Sequence, residues 1–141
     1  MKKHFFVVAS SLAIISFLSI NASLMQSNSP KDKGIGPVKN VVLGATLDKK
    51  MANEGKVLFN NKCIICHDMD QKKVGPPLRN VTKDRTPEFI MNLLVNSAQM
   101  QKENATVKEL LKKYNNVPMP DPAINQAQAR SVLEYLRSLV K

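Results

Sequence analysis

Cys63-Ile64-Ile65-Cys66-His67 is the stretch whose reading decides this 141-residue chain. Two thiols three positions apart can each add to a vinyl group of a haem, and the next residue then places an imidazole beneath the iron. C-x-x-C alone also serves zinc sites, dithiol redox centres and ordinary disulfides. Cys63 and Cys66 are the only cysteines of the chain, so it cannot build a four-thiolate zinc site by itself. A thioredoxin-like dithiol requires a βαβ context, and no two strand-like runs joined by a turn signal are visible. The pentapeptide therefore reads as the attachment site of one covalent haem c.

The sequence around the motif is organised in three parts. Residues 1–22 open with Met1-Lys2-Lys3-His4, continue through an apolar run from Phe5 to Ile20, and end in small residues at Asn21-Ala22. This is the pattern of a secretory signal peptide; an uncleaved N-terminal anchor is its rival, because Ile20 sits where a smaller residue is usual. Export fits the motif, since c-type haem is attached in export compartments, and places the protein in the periplasm, soluble or tethered. Residues 23–45 are rich in Ser, Asn, Pro, Gly and Lys and lack a sustained apolar period, which predicts a flexible linker. Residues 46–141 then form the folded domain. Such a small core gains from a covalently held apolar plate.

That domain reads as all-α. Asp48 opens a helix to about Asn60 whose Met51, Gly55, Leu58 and Phe59 share a face. Gly55 in a helix interior costs about 1 kcal/mol relative to alanine, which predicts close approach of a second helix. Val74-Gly75-Pro76-Pro77-Leu78 breaks regular structure. Thr86-Pro87 is a helix start, with Phe89, Ile90, Leu93 and Leu94 facing inward. Val107, Leu110, Leu111 and Tyr114 mark a helix over 103–114. Asn125 caps a last helix with a stripe of Ala129, Val132, Leu133, Leu136, Leu139 and Val140. That stripe needs a partner, and the first helix at Gly55 supplies it.

Histidine and methionine counts bound the ligands of the iron. The only histidines are His4, in the apolar leader, and His67. One mature chain thus offers one imidazole, and the distal ligand is methionine, lysine, an outside group or nothing. Met119 stands between Pro118 and Pro120, whose fixed φ angles hold a loop extended. Met100, at a helix end, is the alternative. A gap-filling role for Met119 beside the haem is the other. Met51 and Met91 fit helix faces, and Met69 is too near His67 to reach the opposite side.

The chain is basic, with 21 Lys and Arg against 11 Asp and Glu and a net charge of +10. No nucleic-acid motif accompanies this charge and aromatics are few, which argues against DNA or RNA as a partner. A solvating surface and attraction to an acidic protein or anionic membrane both fit. Lys62, Lys72, Lys73 and Lys83 lie near the haem-binding elements in sequence.

Together these pieces resemble the class I cytochromes c, in particular the small single-haem bacterial ones. The resemblance covers about residues 48–141. It rests on Gly55-Lys-Val-Leu-Phe59 before the Cys63–His67 motif, on Val74–Leu78, on Val117-Pro118-Met119-Pro120 and on Leu133-Glu134-Tyr135-Leu136. It implies the cytochrome c fold, with helices wrapped around one haem and the first and last helices crossing. It implies His67 and Met119 as axial ligands, Pro76 C=O as acceptor for His67 Nδ1–H, and Pro77 and Leu78 packed on the porphyrin. Arg79 and Arg85 are candidates for propionate contacts. A six-coordinate iron has no open position for substrate, so the expected function is electron transfer between respiratory redox partners, with no catalytic residue. A monomer docking on acidic surfaces is expected. A five-coordinate haem protein binding gases or peroxide, or a relay subunit of a larger oxidoreductase, are the alternatives.

Overall fold

The computed structural model describes residues 32–141. The segment 1–22 and residues 23–31 of the expected linker lie outside them. Six helices follow in order: α1 (Lys49–Lys62), α2 (Val81–Asp84), α3 (Pro87–Val95), α4 (Ser97–Glu103), α5 (Ala105–Lys113) and α6 (Gln126–Ser138). There is no strand among the described residues.

The helix starts follow from local chemistry. Asp48 accepts a hydrogen bond from Met51 N–H, Thr86 from Phe89 N–H, and Asn104 from Val107 N–H. Asn125 and Gln128 form a reciprocal capping box at α6. Each device satisfies backbone donors that a helix leaves unpaired in its first turn.

The architecture is set by the crossing of α1 and α6, which pack on each other more extensively than any other pair. Gly55 sits at the crossing. A Cβ there would run into the Ser131 carbonyl and lie 2.9 Å from Val132 N. The close approach read from sequence is therefore real, but its contact is the α6 main chain at Ser131–Val132, not the side chains of the expected apolar stripe. Phe59, Ile90, Leu94, Val132, Leu133 and Leu136 form the core between α1, α3 and α6. Leu139 and Val140, expected to continue the stripe, lie past the end of α6 and are not part of that buried core.

Residues 32–45 correct the flexible-linker expectation. They form an extended arm bound to the helices along its length. The buried Asn92 side chain accepts from Val38 N–H and donates to Val38 O and Lys33 O, each at 2.9 Å. Glu88 accepts from Val41 N–H at 3.1 Å. Arg130 donates to Val42 O at 2.9 Å and Arg137 to Gly44 O at 3.2 Å. Both arginines also pair with the fully buried Glu134. Gly34 takes a left-handed φ of +71°, and a Cβ there would lie 2.8 Å from Met100 Cε. Composition misses the arm because its partners are side chains distant in sequence. It satisfies its backbone with them instead of with its own repeat.

Asn92 is the hub of this arm. Asn92→Leu removes three hydrogen bonds and leaves Val38 N–H, at a residue only 5% exposed, without a partner. We expect a loss of about 2–4 kcal/mol in denaturant unfolding of the holoprotein. Hydrogen exchange at Val38 should accelerate with it. Unchanged protection of that amide would show that Asn92 does not hold the arm.

Candidate functional site

The site is a cleft of about 410 Å³. Cys63, Cys66 and His67 lie on one side of it, in the tight turn that ends α1. The turn is closed by Cys66 N–H and His67 N–H donating to Cys63 O at 3.1 and 2.9 Å. Both cysteines are free and half-buried. Burial pushes the Cys63 thiol up, against the pull of Lys62. A dithiol redox centre wants the opposite shift.

The loop after the turn sets the orientation of His67. Gly75 N–H donates to Cys66 O, Leu78 N–H to Asp68 O and Arg79 N–H to Met69 O, at 2.8, 3.0 and 3.0 Å. The loop thus runs alongside residues 66–69. His67 Nδ1 lies 2.9 Å from Pro76 O. A carbonyl can only accept, so Nδ1 carries the proton and Nε2 keeps its lone pair. Burial lowers the His67 pKa, outweighing the Pro76 bond that raises it. The ring is accordingly neutral, the form that ligates a metal. Gly75 has its Cα against the ring: a Cβ would lie 2.8 Å from Nδ1 and 2.9 Å from Nε2. Any side chain here would push His67 aside.

The remaining walls are apolar. Phe59, Leu94, Val132 and Leu136 line the cleft from the core helices, and Leu78 from the loop. Val107 is the only buried residue of α5. Its Leu110 and Leu111, with Tyr114, turn to the cleft. Asn115 and Asn116 follow with φ of 60° and 56°, a left-handed turn that asparagine tolerates better than most residues. Asn116 N–H closes it on Leu111 O at 2.8 Å. The chain is thereby sent into Val117-Pro118-Met119-Pro120, all of which line the cleft.

Of the residues singled out in sequence, Cys63, Cys66, His67, Pro76, Leu78, Arg85 and Met119 all line this one cleft. Arg79 does not. Its guanidinium grips Asp70 at 2.5 and 2.6 Å and reaches Leu139 O. It ties the loop to the C-terminal end of α6 and is not available for a propionate. Arg85 lies over the Phe89 ring, 5.6 Å from its centroid. Met100, the alternative ligand, is fully buried in α4 with Phe89 and Val107, and its sulfur accepts from Ile35 N–H. It belongs to the core and does not line the cleft.

Sequence reading missed α2 and α4, and with α4 it missed Gln101. This side chain lines the cleft and hydrogen-bonds both backbone groups of Met119. A lone glutamine on a short helix carries no sequence signal of such a role.

The lining fits a flat, mostly apolar group held by two thiols. Thiols and imidazole occur together in one turn, a thioether is carried by the loop after α5, and Gly75 leaves room for the ring in one orientation. No group of three or more His, Cys, Asp and Glu that could hold a bare metal ion occurs among the described residues.

Comparison with known proteins agrees with this fit. The family model for cytochrome c matches residues 52–140. Cytochrome c-551 of Stutzerimonas stutzeri is 28% identical over 91 residues, covering 63% of this chain and 80% of its own. The solved cytochrome c from Rhodothermus marinus is 43% identical, with a TM-score of 0.71 over 74% of this chain and 89% of its own. An engineered form of that protein, solved with a bound carbene intermediate, is 41% identical with a TM-score of 0.68, covering 74% and 89% of the two chains.

Proposed function

Because the chain belongs to the cytochrome c family, whose members carry electrons on one covalent haem c, we propose that it does so with His67 and Met119 as axial ligands. The observation that carries this reading is the convergence of Cys63, Cys66, His67 and Met119 on one apolar cleft, with His67 Nδ1 already committed to Pro76 O. Haem c so ligated supplies one-electron chemistry, and a thioether ligand favours its ferrous state and a comparatively high potential.

Each residue has a definite part in this reading. Cys63 and Cys66 form the two thioether bonds. His67 presents Nε2, its ring fixed by Pro76 O and by Gly75. Met119 presents its sulfur from a proline-braced loop. Leu78, Leu110, Leu111 and Tyr114 keep water from the cleft, which lowers the reorganisation that accompanies a change of charge. Arg85 is the remaining candidate for a propionate contact. None of these residues is assigned a catalytic role.

The partners follow from the surface. Lys62 lines the cleft, Lys72 Nζ lies 5.1 Å from the Tyr114 ring centroid, and Lys73 Nζ donates to Ile64 O. Lys83 is turned away to the chain's last residue. Three lysines thus surround the cleft, beside the exposed Ile65, and this pattern supports docking on acidic faces of redox proteins. We place the protein in the periplasm as a monomer, its folded unit extending from 46 to 141 with the arm laid against it. Residues 1–22 serve for export or as a tether. No helix of the described residues is long and apolar enough to cross a membrane.

Met119→Ala tests the ligand set. The ferric protein should lose the long-wavelength absorption band of methionine-ligated haem, gain affinity for small ligands and show a lower potential. If Met100→Ala had these effects and Met119→Ala did not, the assignment would be wrong.

A further inference from the structure

We propose that Gln101 is a positioning residue that clamps the Met119 loop from α4. This rests on the reading of Met119 as the distal ligand. Gln101 Nε2 donates to Met119 O at 2.8 Å, and Gln101 Oε1 accepts from Met119 N–H at 2.8 Å. One planar amide thus pairs with both polar groups of one backbone residue. Gln101 is the only side chain that hydrogen-bonds the backbone of Pro118–Pro120 among the described residues.

The loop's own composition gives the clamp its leverage. Pro118 and Pro120 have no N–H, so Met119 carries the sole backbone donor of that tripeptide. Gln101 takes that donor. The clamp is itself braced, because Gln101 Nε2 also donates to Ser97 O at 3.0 Å. With two donors and one acceptor in use, the amide is fixed in orientation. Its base is rigid as well. Ser97 and Met100, the buried residues of α4, are 2% and 0% exposed. Ile35 N–H of the arm binds Met100 Sδ at 2.9 Å. The arm therefore secures α4 at the residue next to the one that secures the loop. A thioether is a weak, neutral ligand, and its hold on iron depends on how seldom its loop swings away. Gln101 acts on that opening.

Imidazole binding to the ferric, fully matured holoprotein reads the opening directly, since imidazole must replace Met119. Its apparent affinity scales with the fraction of open loop. Loss of both bonds in Gln101→Leu should raise imidazole affinity about tenfold. Gln101→Glu keeps an acceptor for Met119 N–H and should give a smaller rise. Gln128→Ala removes the α6 capping box, far from this contact in the chain. It should lower Tm and leave imidazole affinity unchanged, separating the clamp from general destabilisation. In a Met119→Ala background, Gln101→Leu should add nothing. A residue acting only on overall stability would add its effect in both backgrounds. Wild-type imidazole affinity in Gln101→Leu, or in Gln101→Glu should the former not accumulate, overturns the clamp. An undiminished effect in the Met119→Ala background overturns it too. If Met119→Ala itself binds imidazole no more tightly than wild type, the ligand assignment has failed instead, and the two failures are distinct.

Discussion

The double variant Cys63→Ala/Cys66→Ala should carry no covalent haem at all, and each single variant at most one thioether link. These are the only cysteines in the chain, so nothing can replace them. The effect should extend beyond attachment. The cleft is lined mostly by apolar side chains, from α1, α3, α5 and α6 and from the loops that carry Leu78 and Met119. α5 in particular has one residue buried by protein, Val107, while Leu110 and Leu111 face the cleft. These walls close on the haem as a shared surface, and a core of this size depends on such a staple. We therefore expect the double variant to lose near-ultraviolet dichroism and to bind hydrophobic dyes, the signs of a loosely packed state. Haem-stained denaturing gels and intact mass give the first result, and dichroism the second. Covalent haem that survives without both thiols would end the assignment. A natively packed double variant would show that the protein core suffices alone.

How much of this was legible in sequence depends on how local the cause is. Asp48, Thr86 and Asn125 act within four residues of themselves, and all three cap the helices they were read to cap. The Cys63–His67 motif is equally local, and so is the loop that follows it. Pro76 O could be named in advance only through the family resemblance, yet the reason is plain in the structure: Gly75 lets the loop lie against the imidazole. The proline setting of Met119 is what favours it over Met100 in the sequence. What separates them structurally is that Met100 is enclosed by Phe89, Val107 and the arm.

The misreadings share one physical origin. The arm at 32–45 looks like a linker because its backbone is satisfied by Glu88, Asn92, Arg130 and Arg137. Nothing within the arm's own sequence records those partners. Arg79 looks like a propionate ligand because it follows the proximal loop, but its charge is taken by Asp70 nine positions earlier. Gln101 is silent for the same reason: its partner lies 18 residues on. Amphipathic period and capping describe how a segment folds against water. They do not describe which polar side chain will complete another segment's backbone.

Gly55 offers the sharpest energetic test, because the sign of its effect depends on the fold. In an exposed helix interior, Gly→Ala should stabilise by about 1 kcal/mol, since alanine loses less backbone freedom on folding. Here a Cβ would meet the Ser131 carbonyl and approach Val132 N. These are main-chain atoms inside α6 and cannot rotate away as a side-chain tip could. Ser131 Oγ also donates to Glu54 at the same crossing, so separating the helices breaks a polar contact as well. Gly55→Ala should therefore destabilise the holoprotein despite its better propensity. Gly55→Leu should cost about 3 kcal/mol or more, at the upper end of overpacking. For a domain of this size that corresponds to a fall in Tm of at least about 10 °C. The loss should appear chiefly as parting of α1 from α6, and since Phe59 lines the cleft one turn after Gly55, the environment of the haem should loosen with it. Thermal melts followed both by helix dichroism and by haem absorbance would show the two falling together. A Gly55→Ala protein more stable than wild type would place the helices further apart than the structure does, and would leave the glycine as a tolerated weakness of α1.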